Sequence, residues 1–282
     1  MILYQYVTLP VGFEILRNKK VGFRKQEHFN DPLEAVLAPV DPGANAKKIL
    51  KRMKEFDGKE PPDVIKHVIE ISQTFMSALS VGMNCVVLCL TRNPSNPLMW
   101  AHYSGLTGMV IGYDVDSEFF LGTHNACPVQ FGEMVYSDSR PNPFFEEDQK
   151  APVDRWYWKP FDEDNLERVQ ATFLTKAKRW EYEEEIRIVK RLNDESEDHI
   201  REEITCEDGR DLYLYRLPEN CIREVYRYFH PMVLHALKNS PGVGGGEAPK
   251  EFRDFIVDKL GLDLFAVTPS KETWDFAVEK VP

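Results

Sequence analysis

Two runs in this chain concentrate side chains that can do chemistry: Trp100, His102, Tyr103 and Ser104 within LMWAHYS, and Glu181, Glu183, Glu185 and Arg187 within RWEYEEEIR. Acidic groups at alternate positions suit more than one kind of work. Together with Asp31, Glu183 and Glu185 are hard oxygen ligands of the kind that hold Mg²⁺ in a nuclease or other hydrolase, with Lys176 or His102 beside a phosphate. In a sensor or binding module, Trp100, His102 and Tyr103 would instead hold a small ligand or partner, and the acidic row would serve as a recognition surface. Each run also has a plain packing explanation. Trp100 and Tyr103 would anchor a helix to a sheet with His102 toward water, and the glutamates would form a solvated strand face.

The elements that must position these groups follow from hydrophobic periodicity. Apolar CVVLCL, residues 85–90, reads as a buried strand, residues 93–97 as a turn and cap, 98–104 as one or two helical turns, and 108–115 as a second strand. A strand over 180–190 puts Trp180, Tyr182, Ile186 and Ile188 on one face and Glu181, Glu183, Glu185 and Arg187 on the other. Glu183 and Glu185 would then stand about 7 Å apart. The β-branched stretch IRIV favours strand over helix there. Further strands are predicted at 2–7, 21–24, 129–136, 211–217 and 223–229, and around Trp274, Phe276 and Val278. Helices are predicted at 10–20, 46–56, 63–79 and 166–177, and through Phe252, Phe255, Ile256 and Leu260. Proline-rich residues 137–161 read as a long loop of the sort that covers a site. The fold expected is α+β, with a mixed or split central sheet and flanking helices. Residues 1–238 form a single catalytic-like domain, 239–249 a Gly/Pro-rich connection, and 250–282 a helix and strand packed on the same domain.

Composition narrows the partners. The 282 residues carry 35 Lys and Arg against 46 Asp and Glu, a net charge of −11 with no basic block, which argues against capture of nucleic acid through its phosphates as the main role. No 18-residue apolar stretch and no cationic, then apolar N-terminal segment is present, so a cytoplasmic protein with no membrane role is expected. The five cysteines lack Cys-x-x-Cys spacing, the histidines lack a zinc pattern, and neither a P-loop nor a Gly-x-Gly-x-x-Gly nor a Gly-x-Ser-x-Gly elbow occurs. No metal is expected as a resident cofactor.

The ordered set Tyr4-x-Tyr6, Phe29-Asn30-Asp31-Pro32, Met99-Trp100-Ala101-His102-Tyr103 with Gly108 and Gly112, Lys176, and Trp180-x-Tyr182-Glu183-x-Glu185-x-Arg187 resembles prokaryotic domain-of-unknown-function family 2971, over roughly residues 1–230. That family is found in phage-defence neighbourhoods, and the resemblance implies a toxin or abortive-infection effector. A more distant resemblance, in the order of an aromatic first strand, a strand–helix–strand bearing a tyrosine and a late strand bearing Glu-x-Glu, is to ADP-ribosyltransferases. It implies a split sheet that clamps NAD as substrate. By that resemblance Glu185 is the catalytic glutamate and Glu183 contacts the acceptor. Tyr103, or alternatively His102, meets nicotinamide, Tyr4 or Tyr6 faces the cofactor from the first strand, and Trp100 and Arg187 complete the binding set. The acceptor implied is protein, nucleic acid or water, with room for a regulatory partner protein. Where those enzymes carry His-Gly or Arg on the first strand, this chain has Tyr4, Gln5 and Tyr6.

Overall fold

A computed structural model of the protein describes residues 1–31, 34, 85–105, 107–140, 160–192, 201–206, 208–229 and 247–282. β1 (Ile2–Val7) is followed by α1 (Leu9–Asn18), which starts at a proline in its first turn and ends where Lys19 turns left-handed at φ 53°. β2 (Lys20–Phe23) follows, then β3 (Cys85–Thr91), nearly all of it buried. α2 (Pro97–Met99) runs into a π-helical turn, Trp100–Ser104, and β4 (Met109–Asp114) comes next. After α3 (Glu118–Leu121) and β5 (Val135–Ser137), α4 (Leu166–Phe173) leads to β6 (Thr175–Ala177), a 3₁₀ turn Lys178–Glu183 and β7 (Glu185–Arg191). β8 (Arg201–Thr205), β9 (Asp211–Arg216) and β10 (Ile222–Tyr228) precede α5 (Glu247–Arg253), which continues as a π-helical segment, and β11 (Asp263–Pro269) and β12 (Phe276–Val281) close the order.

Seven of these strands make one mixed sheet in the order β12-β11-β10-β4-β1-β3-β7. Only the β10–β11 pairing is parallel. Smaller sheets are β2-β9-β8 and the parallel pair β5-β6. The fold is therefore α+β, with a mixed multi-strand central sheet and several helices, as the alternating patterns predicted. No helix among the described residues is long and apolar enough to cross a membrane, and the five cysteines are free thiols.

Register divides the labour between the two faces of the large sheet. Glu224 pairs with Gly112, Gly112 with Tyr4, Tyr4 with Thr91, and Thr91 with Glu185, a single row across β10, β4, β1, β3 and β7. Residues opposed in antiparallel pairs point to the same side. One side of the sheet thus carries this row with Tyr6, Val110 and Tyr226, and beyond β1 it carries Cys89, Val87 and Val189. The opposite side, with Leu3, Val7, Leu88, Leu90, Ile111, Tyr113, Ile186 and Ile188, packs the main core.

Several expected elements differ. The strand expected over 129–136 is a 3₁₀ turn, Val129–Phe131, with only a short strand beginning at Val135, because Gly132 lies hard against the Arg187 backbone and the chain bends there. The helix expected to 177 stops at Phe173, and 175–177 pairs with β5 instead. The strand expected over 180–190 begins only at Glu185; Trp180, Glu181, Tyr182 and Glu183 lie in the 3₁₀ turn, and Glu184 turns left-handed at φ 44° before the strand starts. β8 and β11 were not anticipated, since charged REEIT and the interrupted DLFAVTP lack clean alternation. Trp274 lies in the turn before β12, fully exposed. The helices expected at 46–56 and 63–79 lie outside the described residues, as do most of the long loop and most of the Gly-rich connection.

Trp100 pins the helical turn to the sheet: it is fully buried, its ring meets Tyr6 edge-on at 5.7 Å, and its Nε1 donates to the Pro94 carbonyl at 3.0 Å. Replacing Trp100 by Ala should lower unfolding free energy by about 3–5 kcal/mol. Urea denaturation of both proteins measures this, and matching curves would remove Trp100 from the core.

Candidate functional site

The acidic run converges on one amine. Lys176, carried on β6, places Nζ 2.5 Å from Glu183 Oε2 and 2.8 Å from Glu185 Oε2. Two adjacent backbone states make this possible. Glu183 ends the 3₁₀ turn and Glu185 begins β7, and the left-handed Glu184 between them folds both carboxylates back toward the same point instead of leaving them in an extended row. Thr91 Oγ1 fixes the turn by donating to the Glu183 carbonyl at 2.6 Å, and Asn96 Nδ2 donates to the Tyr182 carbonyl at 2.7 Å. The same Asn96 caps α2, its Oδ1 accepting from Leu98 and Met99. The helix bearing Tyr103 and the turn bearing Glu183 are therefore held by one side chain.

From Lys176 the network runs in two directions. Inward, Arg187 Nε donates to Glu185 Oε1 at 2.7 Å and its Nη1 to the Phe173 carbonyl at 2.6 Å, while Nη2 reaches Glu34. Outward, Tyr103 donates its hydroxyl to Glu183 Oε1 at 2.5 Å. Arg187 is fully buried, Glu183 is 2% exposed, and Tyr103 is half-buried, so Tyr103 is where the network meets the surface. Tyr136 accepts from the Glu185 backbone N–H at 2.8 Å, and Cys89, the cross-strand partner of Arg187, lies beside them.

Burial alone would push the Glu185 carboxyl up, but Arg187 and then Lys176 outweigh it and hold it well below the usual carboxylate range. Burial likewise opposes charge on Lys176, yet Glu185, Glu34 and Glu183 raise it well above an ordinary lysine. Glu34 behaves oppositely: burial pushes its carboxyl up in spite of Arg187 and Lys176. Burial, and then the bond to Glu183, also push the Tyr103 phenol up. Counted formally among the described residues, three carboxylates (Glu34, Glu183, Glu185) share two cations (Lys176, Arg187), so the network holds one more negative than positive charge.

Of the sequence-predicted residues, Tyr103, Glu183, Glu185 and Arg187 come together here. Trp100 and Tyr6 stand behind them as packing, Tyr6 OH donating to the Asn93 carbonyl at 2.9 Å and accepting from Asn96 N–H. Tyr4 lies further along the sheet, bonded to Glu224. His102 is exposed on the helical turn, away from the buried carboxylates. Asp31 does not join Glu183 and Glu185; it accepts from Trp180 Nε1 at 2.7 Å and faces Arg179 at 3.7 Å. A divalent ion does not fit between the two glutamates, because the Lys176 ammonium already sits there. Sequence reasoning missed Glu34, Cys89 and Tyr136. For Glu34 the one available signal was its position just after the Phe29-Asn30-Asp31-Pro32 turn.

Residues 99–188 match the model of a family described as a protein of unknown function, DUF2971. The matched stretch contains Tyr103, Lys176, Glu183, Glu185 and Arg187, and leaves out Tyr4, Glu34 and Glu224. No curated protein and no solved structure matches the chain.

Two outcomes follow from the charges. Lys176→Met leaves Glu183 and Glu185 without their shared cation and should cost on the order of 3–5 kcal/mol at neutral pH, measured by denaturant titration. The pH profile has two opposed parts. Glu185, held low, contributes stability above the unfolded carboxylate value of about 4.3 that is lost as pH falls toward its folded value. Glu34, held high, withdraws stability as pH rises from the unfolded to its folded value. The melting temperature of Glu34→Gln should therefore rise relative to wild type across the mildly acidic range; a flat or falling difference would contradict the placement of Glu34.

Proposed function

We propose that the protein is an ADP-ribosyltransferase or NAD-cleaving enzyme, with Tyr103 and Glu183 at the reacting centre. The observation that carries this reading is a buried network in which carboxylates outnumber cations and whose surface end is a half-buried tyrosine packed on an aromatic sheet face. A ligand that brings positive charge into such a place is favoured, because the carboxylates are already fixed and screened from water. The nicotinamide ring of NAD is cationic, and its departure leaves an oxocarbenium-like ribosyl cation.

In this reading the Tyr103 ring offers a face for nicotinamide. A ribose hydroxyl takes over the Glu183 oxygen to which Tyr103 OH donates. As the bond between ribose C1′ and the nicotinamide nitrogen breaks, both electrons leave with neutral nicotinamide, and Glu183 stabilises the cation. The acceptor oxygen or nitrogen then bonds C1′ and releases its proton to water. Glu185 has both oxygens engaged by Arg187 and Lys176, so it is a positioning residue here, and the resemblance-based assignment of the two glutamates is exchanged. The aromatic face of the large sheet would serve as the counterpart of the transferases' NAD clamp. Depletion of NAD would arrest the cell, in keeping with an effector in phage defence. A second reading, ligand binding without turnover, is favoured by the near-complete burial of Glu183 and Glu185.

Release of nicotinamide from NAD by folded protein, with cell extract as acceptor, separates these. Glu183→Gln should lower the rate on the order of a hundredfold with little change in melting temperature. Glu185→Gln should lower both, since it removes the carboxylate that Arg187 and Lys176 share. EDTA should leave the rate unchanged. NAD-induced stabilisation without nicotinamide release would move the assignment to the binding module.

A further inference from the structure

The two edges of the large sheet are finished differently. On β7 the outer backbone is already engaged: Cys127 and Val189 exchange hydrogen bonds at 3.1 and 3.0 Å, Arg187 N–H donates to the Gly132 carbonyl at 2.8 Å, and the Glu185 carbonyl accepts from Met134 N–H at 3.3 Å. At the other edge β12 pairs with β11 alone, and Ala277, Val278, Glu279 and Lys280 are all exposed. The hairpin between β11 and β12 shows which groups point outward. Ser270 N–H donates to the Asp275 carbonyl at 2.9 Å in the register that opposes Pro269 to Phe276, so the backbone groups of Ala277, Glu279 and Val281 face β11 and those of Phe276, Val278 and Lys280 face out. Among the described residues no backbone group pairs with these outward ones, and Phe276 N–H reaches only the neighbouring Asp275 carboxylate, at 3.3 Å. The edge is nevertheless anchored, since the Phe276 ring meets Trp100 at 6.5 Å and Tyr228 at 5.9 Å. Trp274, in the turn that leads into it, is fully exposed.

We infer that β12 pairs antiparallel with β12 of a second copy of this chain, about a two-fold axis at Val278, and so continues the sheet across a dimer. Outward-facing residues must oppose one another for the ladder to close, which puts the axis on a residue and not between two. Charge then selects the residue. An axis at Glu279 sets that carboxylate against its own copy, and an axis at Ala277 sets Asp275 against Glu279; like charges opposed in this way are unfavourable. An axis at Val278 opposes Val278 to Val278, Phe276 to Lys280, Ala277 to Glu279 and Asp275 to Val281, with no like charges facing. Lys280 is already paired with Asp263 at 2.8 Å, so its charge is offset where it meets the Phe276 ring of the other copy. Trp274 comes to flank the end of the opposing strand, which gives its exposed ring something to cover. Because the β7 edge is closed by its own chain, pairing stops at two copies instead of running on into a filament. The inference does not depend on the NAD reading.

Sedimentation equilibrium of the full chain, from about 1 to 200 µM at physiological salt, tests this. A pairing of one short strand is small for an interface, so the expected dissociation constant is on the order of 10 µM. Val278→Lys, at an exposed position, sets two ammonium groups on the axis and should raise that constant by about tenfold or more with an unchanged melting temperature. Trp274→Ser should weaken the dimer less. A second measurement reads the register directly. The α-carbons of the two Val278 residues would stand about 5.5 Å apart, within disulfide range, so mild oxidation of Val278→Cys should cross-link dimers beyond the background of the native thiols. Glu279→Cys, set opposite Ala277, should stay at background. A chain that remains monomeric to the highest concentration, a dimer indifferent to Val278→Lys, or cross-linking through Glu279→Cys in preference to Val278→Cys would overturn the inference.

Discussion

Everything at the centre of this protein depends on keeping charges out of water. A guanidinium that is fully buried, an ammonium nearly so and three carboxylates lie within one network, and each would be prohibitively costly alone. Their mutual pairing offsets that cost only if the geometry is tight. The demand for tightness accounts for much of the surrounding structure: the short β6 that delivers Lys176, the left-handed Glu184, the Phe173 carbonyl that ends α4 against Arg187, and Gly132, where any side chain would collide with the Arg187 carbonyl. Loss of either cation leaves its neighbouring carboxylates as uncompensated buried charge.

The large sheet answers this demand with a division between its faces. One face is filled by aliphatic and aromatic residues and supplies ordinary burial. The other is graded, from aromatic rings over β10, β4 and β1 to ion pairs and thiols over β3 and β7. Trp100 sits at the join, and its helix carries Tyr103, whose hydroxyl is the link between the aromatic and charged halves. Chemistry and packing therefore share a boundary instead of occupying separate regions.

How much of this could be read in the chain varies with the kind of signal. Strands 2–7, 85–91, 109–114 and 211–216 were legible because their apolar residues recur as strand periodicity requires. Tyr103, Glu183, Glu185 and Arg187 were legible as chemistry-bearing types in a short window. Their geometry was not, because alternation assigns Glu183 and Glu185 to an extended row, whereas one left-handed residue at Glu184 collapses that row onto Lys176. Nothing in the run YEEEI marks the middle glutamate as the turning point. Glu34 and Glu224 were invisible for another reason: each has a partner far away in the chain, 153 residues from Glu34 to Arg187 and 220 from Glu224 to Tyr4, and local pattern holds no trace of such pairings. His102 shows the converse, a reactive side-chain type in a suggestive motif that faces solvent.

The same register that aligns Glu224, Gly112, Tyr4, Thr91 and Glu185 has a temporal side. β1 leaves the ribosome first but sits in the interior of the sheet, between β4 and β3, and β4 is not flanked on its far side until β10 has been made. Loop closure over such separations is slow, and the intermediate sheet exposes unpaired edges while it waits. The aromatic face, which takes Tyr226 from β10 and Val267 from β11, is thus among the last features to exist as the chain is synthesised. A nascent chain bears all the reactive side chains of the matched stretch yet has no assembled centre. For a protein whose proposed activity consumes a metabolite shared by the whole cell, the order of synthesis is itself a safeguard.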